Sequence, residues 1–313
     1  MKINKPKFWD SKKGFISSFL LPLSYVIEII ISIKKKILKP QYFNIPVICV
    51  GNIYIGGTGK TPLTVYIAKQ LLEAGKKPAI LKKYYKKYSD ENDFIKNNFK
   101  NFILDKDRVT GIKIAKDKNF DTVILDDGFQ DYKIKKNLNI TCFNQKQLIG
   151  NGYVFPAGPL RESLSALKNS QIVVINGEKD IEFEKKLFKV NGKLSIFYSK
   201  YKPINLDNFK NQKLLAFAGI GNPVNFFSLL ENNDLIVSEK ISFPDHYDFT
   251  EKEILNIIEV AKNKNLKIIT TEKDYFRIKD YNLNEIKYLK IDLEIIEKEK
   301  FLKNIFKIYD KNL

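Results

Sequence analysis

Apolar residues fall along the chain in short runs and in longer segments with helical spacing. The short runs predict strands at 47–50, 78–81, 121–126, 139–143 and 172–175, and again at 213–218, 235–238, 266–269 and 287–291. Helical spacing predicts helices between them, such as 63–74, 109–116, 224–231 and 251–262. Because strands and helices alternate, the pattern predicts an α/β protein.

The first forty residues combine an apolar segment with flanking lysines. The segment at 14–33 approaches the length that spans a bilayer, but Pro22 interrupts it and Glu28 lies within it. After Pro22, the apolar residues of one helical face are Leu23, Val26, Ile27, Ile30 and Ile31, and the polar ones of another are Ser24, Glu28, Ser32 and Lys35. This predicts an amphipathic helix lying at an anionic membrane surface, the alternative being a helix packed on the protein's own core.

A glycine-rich stretch follows the first predicted strand, with the sequence VGNIYIGGTGKTP at 50–62. Backbone N–H groups freed by glycine and the positive end of a following helix can hold phosphates, Lys60 can reach the terminal phosphates, and Thr61 can reach Mg²⁺. Tyr54 stands where the phosphate-loop consensus has glycine, so the motif is a deviant one. The residues expected to bind nucleotide here are Tyr54, Ile55, Gly56, Gly57, Thr58, Gly59, Lys60 and Thr61.

Two acids end the strand predicted at 121–126. Asp126 and Asp127 precede Gly128-Phe129-Gln130. A carboxylate at the carboxyl end of a buried strand beside a phosphate loop can hold the metal of a nucleoside triphosphate or its water. The alternative is an acid that only caps a turn or helix.

Composition narrows the choice of partners. The formal net charge is +18, from 54 Lys and Arg against 36 Asp and Glu, which favours nucleic acid, an acidic membrane or a phosphorylated substrate. Only Arg108, Arg161 and Arg277 are arginine, which weakens sequence-specific reading of nucleic acid. Cys49 and Cys142 lie in apolar runs and are expected in the core. A metal site built on several histidines is excluded, because the chain has one.

Several short motifs, in this order, resemble the tetraacyldisaccharide 4′-kinase family of lipid A biosynthesis. They extend over residues 46–274 and are PVICVGNIYIGGTGKTP, SDEN, DDGFQ, GNGYVFPAGPLRE, AFAGIGNP, FPDHYDFT and TTEKD. The family's loop also lacks glycine at the position of Tyr54, and Pro22-Leu23-Ser24 resembles part of its membrane-associated helix. The basic sequence KKYYKK at 82–87 replaces the Ser-Arg-Gly-Tyr-Gly pattern that the family usually shows.

The resemblance implies a reaction and a place for it. The reaction is transfer of the ATP γ-phosphoryl group to the 4′-hydroxyl of an acylated glucosamine disaccharide 1-phosphate. The place is the cytoplasmic face of the bacterial inner membrane, with the protein bound peripherally. The expected partners are therefore this glycolipid and the membrane surface, and no nucleic acid is expected.

The resemblance also implies catalytic roles. Ser89-Asp90-Glu91-Asn92 resembles the family's Gly-Asp-Glu-Pro motif, which makes Asp90 the expected base for the sugar hydroxyl, with Asp93 as a competitor. His246 is expected to orient Asp90 and tune its pKa, and Tyr247 stands where the family often has a second histidine.

Metal and phosphate contacts follow from the same motifs. Thr61 and Glu91 are the expected Mg²⁺ ligands, with Asp126 or Asp127 binding the metal directly or through its ligands. Gln130 and Arg161 are expected to contact phosphate or substrate.

The predicted architecture has three parts. Residues 1–40 form the membrane-associating helix, 41–178 a P-loop NTPase-like α/β/α sandwich, and 179–313 a smaller α/β domain that contributes to the active-site cleft; the charged stretch at 177–189 marks the boundary. Two other functions fit parts of the pattern. One is an assembly ATPase with a deviant phosphate loop at a membrane surface, and the other is a basic NTPase that binds nucleic acid.

Overall fold

The computed structural model describes residues 6–10, 14–85, 89–245, 247–281 and 283–310, except for the side chains of residues 89 and 90. The chain forms two compact units. The first comprises Met1–Tyr85, Phe99–Lys200 and Leu293–Leu313, and the second comprises Lys86–Asn98 and Tyr201–Asp292.

Strands and helices alternate through most of the described chain. The strands are β1 (Val47–Gly51), β2 (Pro78–Lys83), β3 (Phe102–Asp105), β4 (Thr122–Asp126), β5 (Leu138–Asn144), β6 (Ile172–Asn176), β7 (Ser195–Pro203), β8 (Lys213–Ala218), β9 (Ile236–Ser242), β10 (Lys267–Thr271), β11 (Ile286–Leu289) and β12 (Ile291–Ile295). The α-helices are α1 (Phe15–Ile37), α2 (Lys60–Glu73), α3 (Ser89–Asn98), α4 (Arg108–Asp117), α5 (Ile181–Val190), α6 (Pro223–Glu231), α7 (Glu251–Asn263), α8 (Glu272–Ile278) and α9 (Lys298–Phe306). The predicted α/β fold is confirmed, although the strand predicted at 287–291 is two strands.

The first unit is built on an eight-stranded sheet in the order β12-β7-β6-β5-β1-β4-β2-β3. All pairs from β7 to β3 are parallel. From β1 the chain proceeds toward β2 and β3, whereas from β5 it proceeds toward β6 and β7. Ligands of open parallel sheets bind outside the carboxyl ends of the strands at such a reversal. The end of β1, where the glycine-rich loop begins, is therefore the favoured place for a site.

The central strands are buried along their whole length. Every residue of β1 and β4 is buried, as expected of parallel strands that are covered on both faces. Cys49 on β1 and Cys142 on β5 are buried free thiols, which confirms the prediction that both lie in the core. Burial raises the pKa of the Cys49 thiol to about 11 and also raises that of Cys142.

The second unit has its own parallel sheet, in the order β11-β10-β8-β9. Two apolar clusters pack on its faces, one including Phe226 and Phe227 of α6 and the other including Ile254 and Ile258 of α7. Helix α7 begins with a complete capping box between Thr250 and Glu253. That capping role is the one that the spacing of these two residues indicates.

Helix α3 belongs to the second unit although it lies between β2 and β3 in sequence. It contacts α8 through polar pairs: Lys273 Nζ lies 3.7 Å from Glu91 Oε1, and Asn98 Nδ2 donates to Glu272 Oε1 at 3.4 Å. The chain therefore enters the second unit twice, first for this helix and then for residues 201–292.

The charged stretch at 177–189 is not where the units divide. It contains most of α5, whose Phe183 and Leu187 are buried in the core of the first unit. Strand β7 then extends the first sheet, and the chain leaves this unit after Lys200. An amphipathic helix presents its charges to solvent wherever it lies, so the charge run does not mark the predicted boundary between 178 and 179.

Helix α1 continues through Pro22 and presents its apolar side outward. Phe15 and Phe19 are 88% and 77% exposed, and Val26 and Ile30 are also exposed. Serine faces the protein instead: Ser24 Oγ donates to the Val154 carbonyl at 2.8 Å and accepts from the Ala157 N–H at 3.0 Å.

Further polar contacts hold α1 to its unit. Asn151 Nδ2 donates to Ser17 Oγ at 3.1 Å, and Lys35 forms an ion pair with the buried Glu162. By length and composition α1 could cross a bilayer. Because most of its apolar surface is exposed, α1 does not fit the alternative of a helix packed on the protein's own core.

Candidate active site at the glycine-rich loop

The loop between β1 and α2 has the backbone of a phosphate cradle. Gly56 and Gly59 have φ angles of 131° and 88°, a region that side chains with a Cβ rarely adopt. Helix α2 begins at Lys60 with no side-chain cap and no acid in its first turn. Its first N–H groups and the positive end of its dipole therefore suit an anion.

Asn52 holds this loop in shape. Its side chain is fully buried, and Nδ2 donates to the Gly56 carbonyl at 3.2 Å and to Thr58 Oγ1 at 3.0 Å. The main-chain carbonyl of Asn52 accepts a hydrogen bond from Gln130 Nε2 at 2.9 Å. Asn52 was not among the residues predicted from the sequence; its place inside the motif, between Gly51 and Gly56, is the signal that was available.

Tyr54 and Ile55 join the loop to the rest of the unit. The Tyr54 side chain is buried in the main apolar cluster, so a nucleotide could meet this residue only at its backbone. The Ile55 N–H donates to the Pro159 carbonyl at 2.8 Å, and the Arg161 N–H donates to the Ile53 carbonyl at 2.7 Å. The segment 150–163, which contains the motif GNGYVFPAGPLRE, therefore supports the phosphate loop.

Asp126, at the end of β4, accepts hydrogen bonds from three side chains. Thr61 Oγ1 and Lys82 Nζ lie 3.2 and 2.5 Å from Oδ2, and Thr64 Oγ1 lies 3.2 Å from Oδ1. The carboxylate is fully buried. A buried charge is tolerated when it is paired and hydrogen-bonded, as this one is.

Asp127 lies one residue on and faces the loop from another side. Its φ of 54° turns the chain sharply after β4. Arg161 Nη1 donates to both of its carboxylate oxygens, at 2.9 and 3.0 Å, and Lys60 Nζ lies 3.7 Å from Oδ1. Burial alone would raise the pKa of Asp127, but the Lys60 and Arg161 cations outweigh it and hold this pKa well below its usual value.

Two further groups stabilise this turn. Arg108 Nη2 donates to the carbonyls of Asp126 and Asp127 at 3.2 and 2.8 Å. Gln130 Oε1 accepts a long hydrogen bond of 3.4 Å from Arg161. The sequence did not predict this role for Arg108, because the role depends on a fold that brings α4 to the end of β4.

The residues present fit a nucleoside triphosphate and a hard cation. Backbone N–H groups, Lys60 and Arg161 match phosphate oxygens, and the Thr61 hydroxyl and the Asp126 and Asp127 carboxylates are the oxygen ligands that Mg²⁺ prefers. Within the described ranges, no group of three or more His, Cys, Asp or Glu residues is placed to hold a metal.

The other predicted catalytic residues belong to the second unit. Asp90 is in the first turn of α3, but its side chain and the whole of His246 lie outside the described residues. Glu91 pairs with Lys273 as stated above. The competing acid Asp93 is engaged elsewhere, because Lys279 Nζ lies 2.8 Å from its Oδ2.

Other motifs of the second unit have structural roles of their own. Asp274 of TTEKD is fully buried and accepts from the Gly219 N–H at 2.9 Å and from Arg277 Nη1 at 2.6 Å. Tyr247 Oη donates to Glu253 Oε1 at 2.6 Å. The motifs AGIGNP and TTEKD are thus joined, and Tyr247 is tied to the start of α7.

These features define a P-loop nucleotide-binding protein: a buried parallel strand, a glycine-rich loop, an uncapped helix start and a carboxylate at a strand end. The model of the family described as tetraacyldisaccharide-1-P 4′-kinase matches residues 16–98 and 82–309. The chain belongs to the tetraacyldisaccharide 4′-kinase family.

Individual relatives agree with this assignment. The chain is 42% identical to the tetraacyldisaccharide 4′-kinase of Pelagibacter ubique over 100% of both chains. It is 34% identical to that of Francisella tularensis subsp. novicida over 92% of this chain and 98% of the relative. Among solved structures, LpxK from Aquifex aeolicus in complex with ATP is similar with a TM-score of 0.73 and 28% identity, covering 94% of this chain and 99% of that one.

Proposed function

We propose that this protein transfers the γ-phosphoryl group of ATP to the 4′-hydroxyl of a tetraacyl glucosamine disaccharide 1-phosphate. The observation that carries the proposal is the loop at 51–61. It leads into the uncapped start of α2, and its Thr61 hydroxyl is hydrogen-bonded to the Asp126 carboxylate at the end of β4. Membership of the kinase family selects this reaction among those that a P-loop can serve.

The residues of the first unit would bind and orient the phosphates. Loop N–H groups hold the phosphate chain, and Lys60 moves its charge from Asp127 to the terminal phosphates. Arg161 and Asp127 set the position from which Lys60 starts. Thr61 and Asp126 would hold Mg²⁺, which when bound neutralises charge that develops on the phosphate oxygens.

The residues of the second unit would act on the acceptor. Asp90 accepts the proton of the 4′-hydroxyl as that oxygen attacks the γ-phosphorus, and the bond from this phosphorus to the bridging oxygen breaks to release ADP. His246 orients the Asp90 carboxylate. Glu91 would supply a further oxygen ligand for the metal. Each of these roles rests on the motif resemblance.

The membrane face is α1. Its exposed apolar residues and the exposed Lys34 and Lys36 of its last turn suit insertion at an anionic surface, where the lipid substrate is held. We place the protein at the cytoplasmic face of the bacterial inner membrane as a peripheral protein, because ATP is supplied on that side.

The test is a kinase assay with purified full-length protein in detergent, ATP, Mg²⁺ and the acylated disaccharide 1-phosphate. Phosphorylated product is expected. Asp90→Asn should lower kcat by about 10²-fold or more while ATP affinity changes little. His246→Asn should lower kcat and shift the pH profile.

Asp93→Asn is the matched control, since it removes the same charge from the same helix and is expected to retain turnover. If Asp93→Asn loses turnover and Asp90→Asn retains it, Asp93 is the base and Asp90 is not. A folded wild-type protein that forms no product would refute the proposal, and ATP-dependent dimers without product would favour the assembly ATPase instead.

A further inference from the structure

Lys82 is a buried cation in the phosphate site that the motifs do not account for. It is the fifth residue of β2, and the parallel register pairs Lys82 with Asp126 of β4. Its side chain is 5% exposed, and Nζ lies 2.5 Å from Asp126 Oδ2. The site therefore contains a cation on the same carboxylate that a metal would use.

The Oδ2 atom of Asp126 already has two donors and little capacity for another partner. Oδ2 already accepts from Thr61 and Lys82, and Oδ1 accepts from Thr64. For Mg²⁺ or its bound water to use Oδ2, the oxygen that Thr61 also contacts, one of its two donors must withdraw, and the charged one of the two is the Lys82 ammonium. Lys82 and a divalent cation would also repel each other across a buried site, where such repulsion is screened poorly.

We propose that Lys82 is a resident cation of the phosphate site that competes with Mg²⁺ for Asp126. It supplies positive charge to the phosphates when no metal is bound, and it raises the metal concentration needed to fill the site. This inference rests on the proposed function, because it assumes that ATP binds at the loop. Lys82 is then a positioning residue: it acts through Asp126 and sets how strongly nucleotide binding depends on the metal.

The test measures binding and not turnover. Full-length protein in detergent is first titrated with a fluorescent ATP analogue in EDTA. In a second titration, Mn²⁺ is added in the presence of a non-hydrolysable ATP analogue, and its binding is measured by electron paramagnetic resonance. In Lys82→Met, we expect metal-free nucleotide affinity to fall about tenfold and the half-saturating Mn²⁺ concentration to fall about fivefold or more, because coupling between two ligands is typically of this size.

Two variants make the result specific. Lys83→Met removes the same charge one residue further along β2, where the side chain points to the opposite face of the sheet, and should leave the Mn²⁺ midpoint unchanged. Lys82→Arg keeps the charge and should stay close to the wild type. If Lys82→Met does not fold, Lys82→Gln removes the charge while keeping a donor for Asp126.

The inference is overturned if the uncharged Lys82 variant binds nucleotide with an unchanged or raised Mn²⁺ midpoint, or if Lys83→Met moves the midpoint equally. A wild-type protein that binds no nucleotide at any Mn²⁺ concentration would refute the proposed function itself. Binding of nucleotide with an unmoved midpoint refutes only the role of Lys82.

Discussion

The ion pair between Lys82 and Asp126 gives the sharpest prediction about stability. Asp126→Ala leaves the Lys82 ammonium buried without its carboxylate, and breaking such a pair costs about 3–5 kcal/mol of unfolding free energy. We expect about 4 kcal/mol, because the Thr61 hydroxyl also loses its acceptor while Thr64 retains the Lys60 carbonyl at 3.0 Å. Lys82→Met should cost less, about 2 kcal/mol, since two hydroxyl donors remain on Asp126.

The double variant is the informative one. With both charges removed, no buried ion is left unpaired, so we expect a cost of about 3 kcal/mol, which is smaller than that of Asp126→Ala alone. The coupling energy is then about 3 kcal/mol in favour of the pair. An apolar replacement of the whole pair is thus tolerated better than the loss of Asp126 alone.

Trp9 provides the assay. It is the only tryptophan in the sequence, it is buried in the first unit, and its Nε1 donates to the Pro156 carbonyl at 3.1 Å. Urea unfolding followed by tryptophan fluorescence therefore reports on the unit that contains the ion pair. If the two single costs add within about 0.5 kcal/mol, the two side chains do not interact and the reasoning fails.

Three other predictions address the loop, the pH dependence and the membrane face. Gly51→Ala should lower the urea midpoint, because an added Cβ would lie 2.5 Å from a neighbouring Cβ, whereas Gly57→Ala, with nothing within 4 Å, should not. Because the pKa of Asp127 is depressed in the folded protein, the ionised carboxylate stabilises the fold above pH of about 3.9, and this stabilisation is lost as the pH falls below that value. The urea midpoint should fall over the same pH range, and Arg161→Met should weaken this pH dependence. Phe19→Glu should reduce sedimentation with anionic vesicles about tenfold without changing the Trp9 unfolding midpoint, and equal binding would exclude the exposed face of α1 as the contact.

Much of the phosphate site was predictable because its signals are local. Glycine at positions 56 and 59 meets a backbone requirement that the next few residues impose, and the apolar run before it indicates a buried strand. The burial of Cys49 followed from the same run. The spacing of Thr250 and Glu253 likewise indicated a cap that the structure contains.

The partners of the charged side chains were not predictable in this way. In the sequence, Lys82 comes directly after the strand predicted at 78–81, as the first residue of the basic stretch KKYYKK. The parallel register of β2 and β4 instead puts it within the strand and against Asp126 in the interior. Arg161 reaches Asp127 only because the loop after β5 returns beside the phosphate loop. Strand register and loop return are set by packing over the whole unit, which local periodicity does not encode.

The sequence by itself determined the class of protein: the α/β alternation, the phosphate loop, the acids after β4 and the family. Tertiary structure decided how the chain divides, with 89–98 in the second unit and α5 in the first, and which face of α1 meets the protein. The reason is physical. Motifs and periodicity report the needs of neighbouring residues, whereas the partner of a buried charge and the exposed face of a helix depend on which distant surfaces pack together.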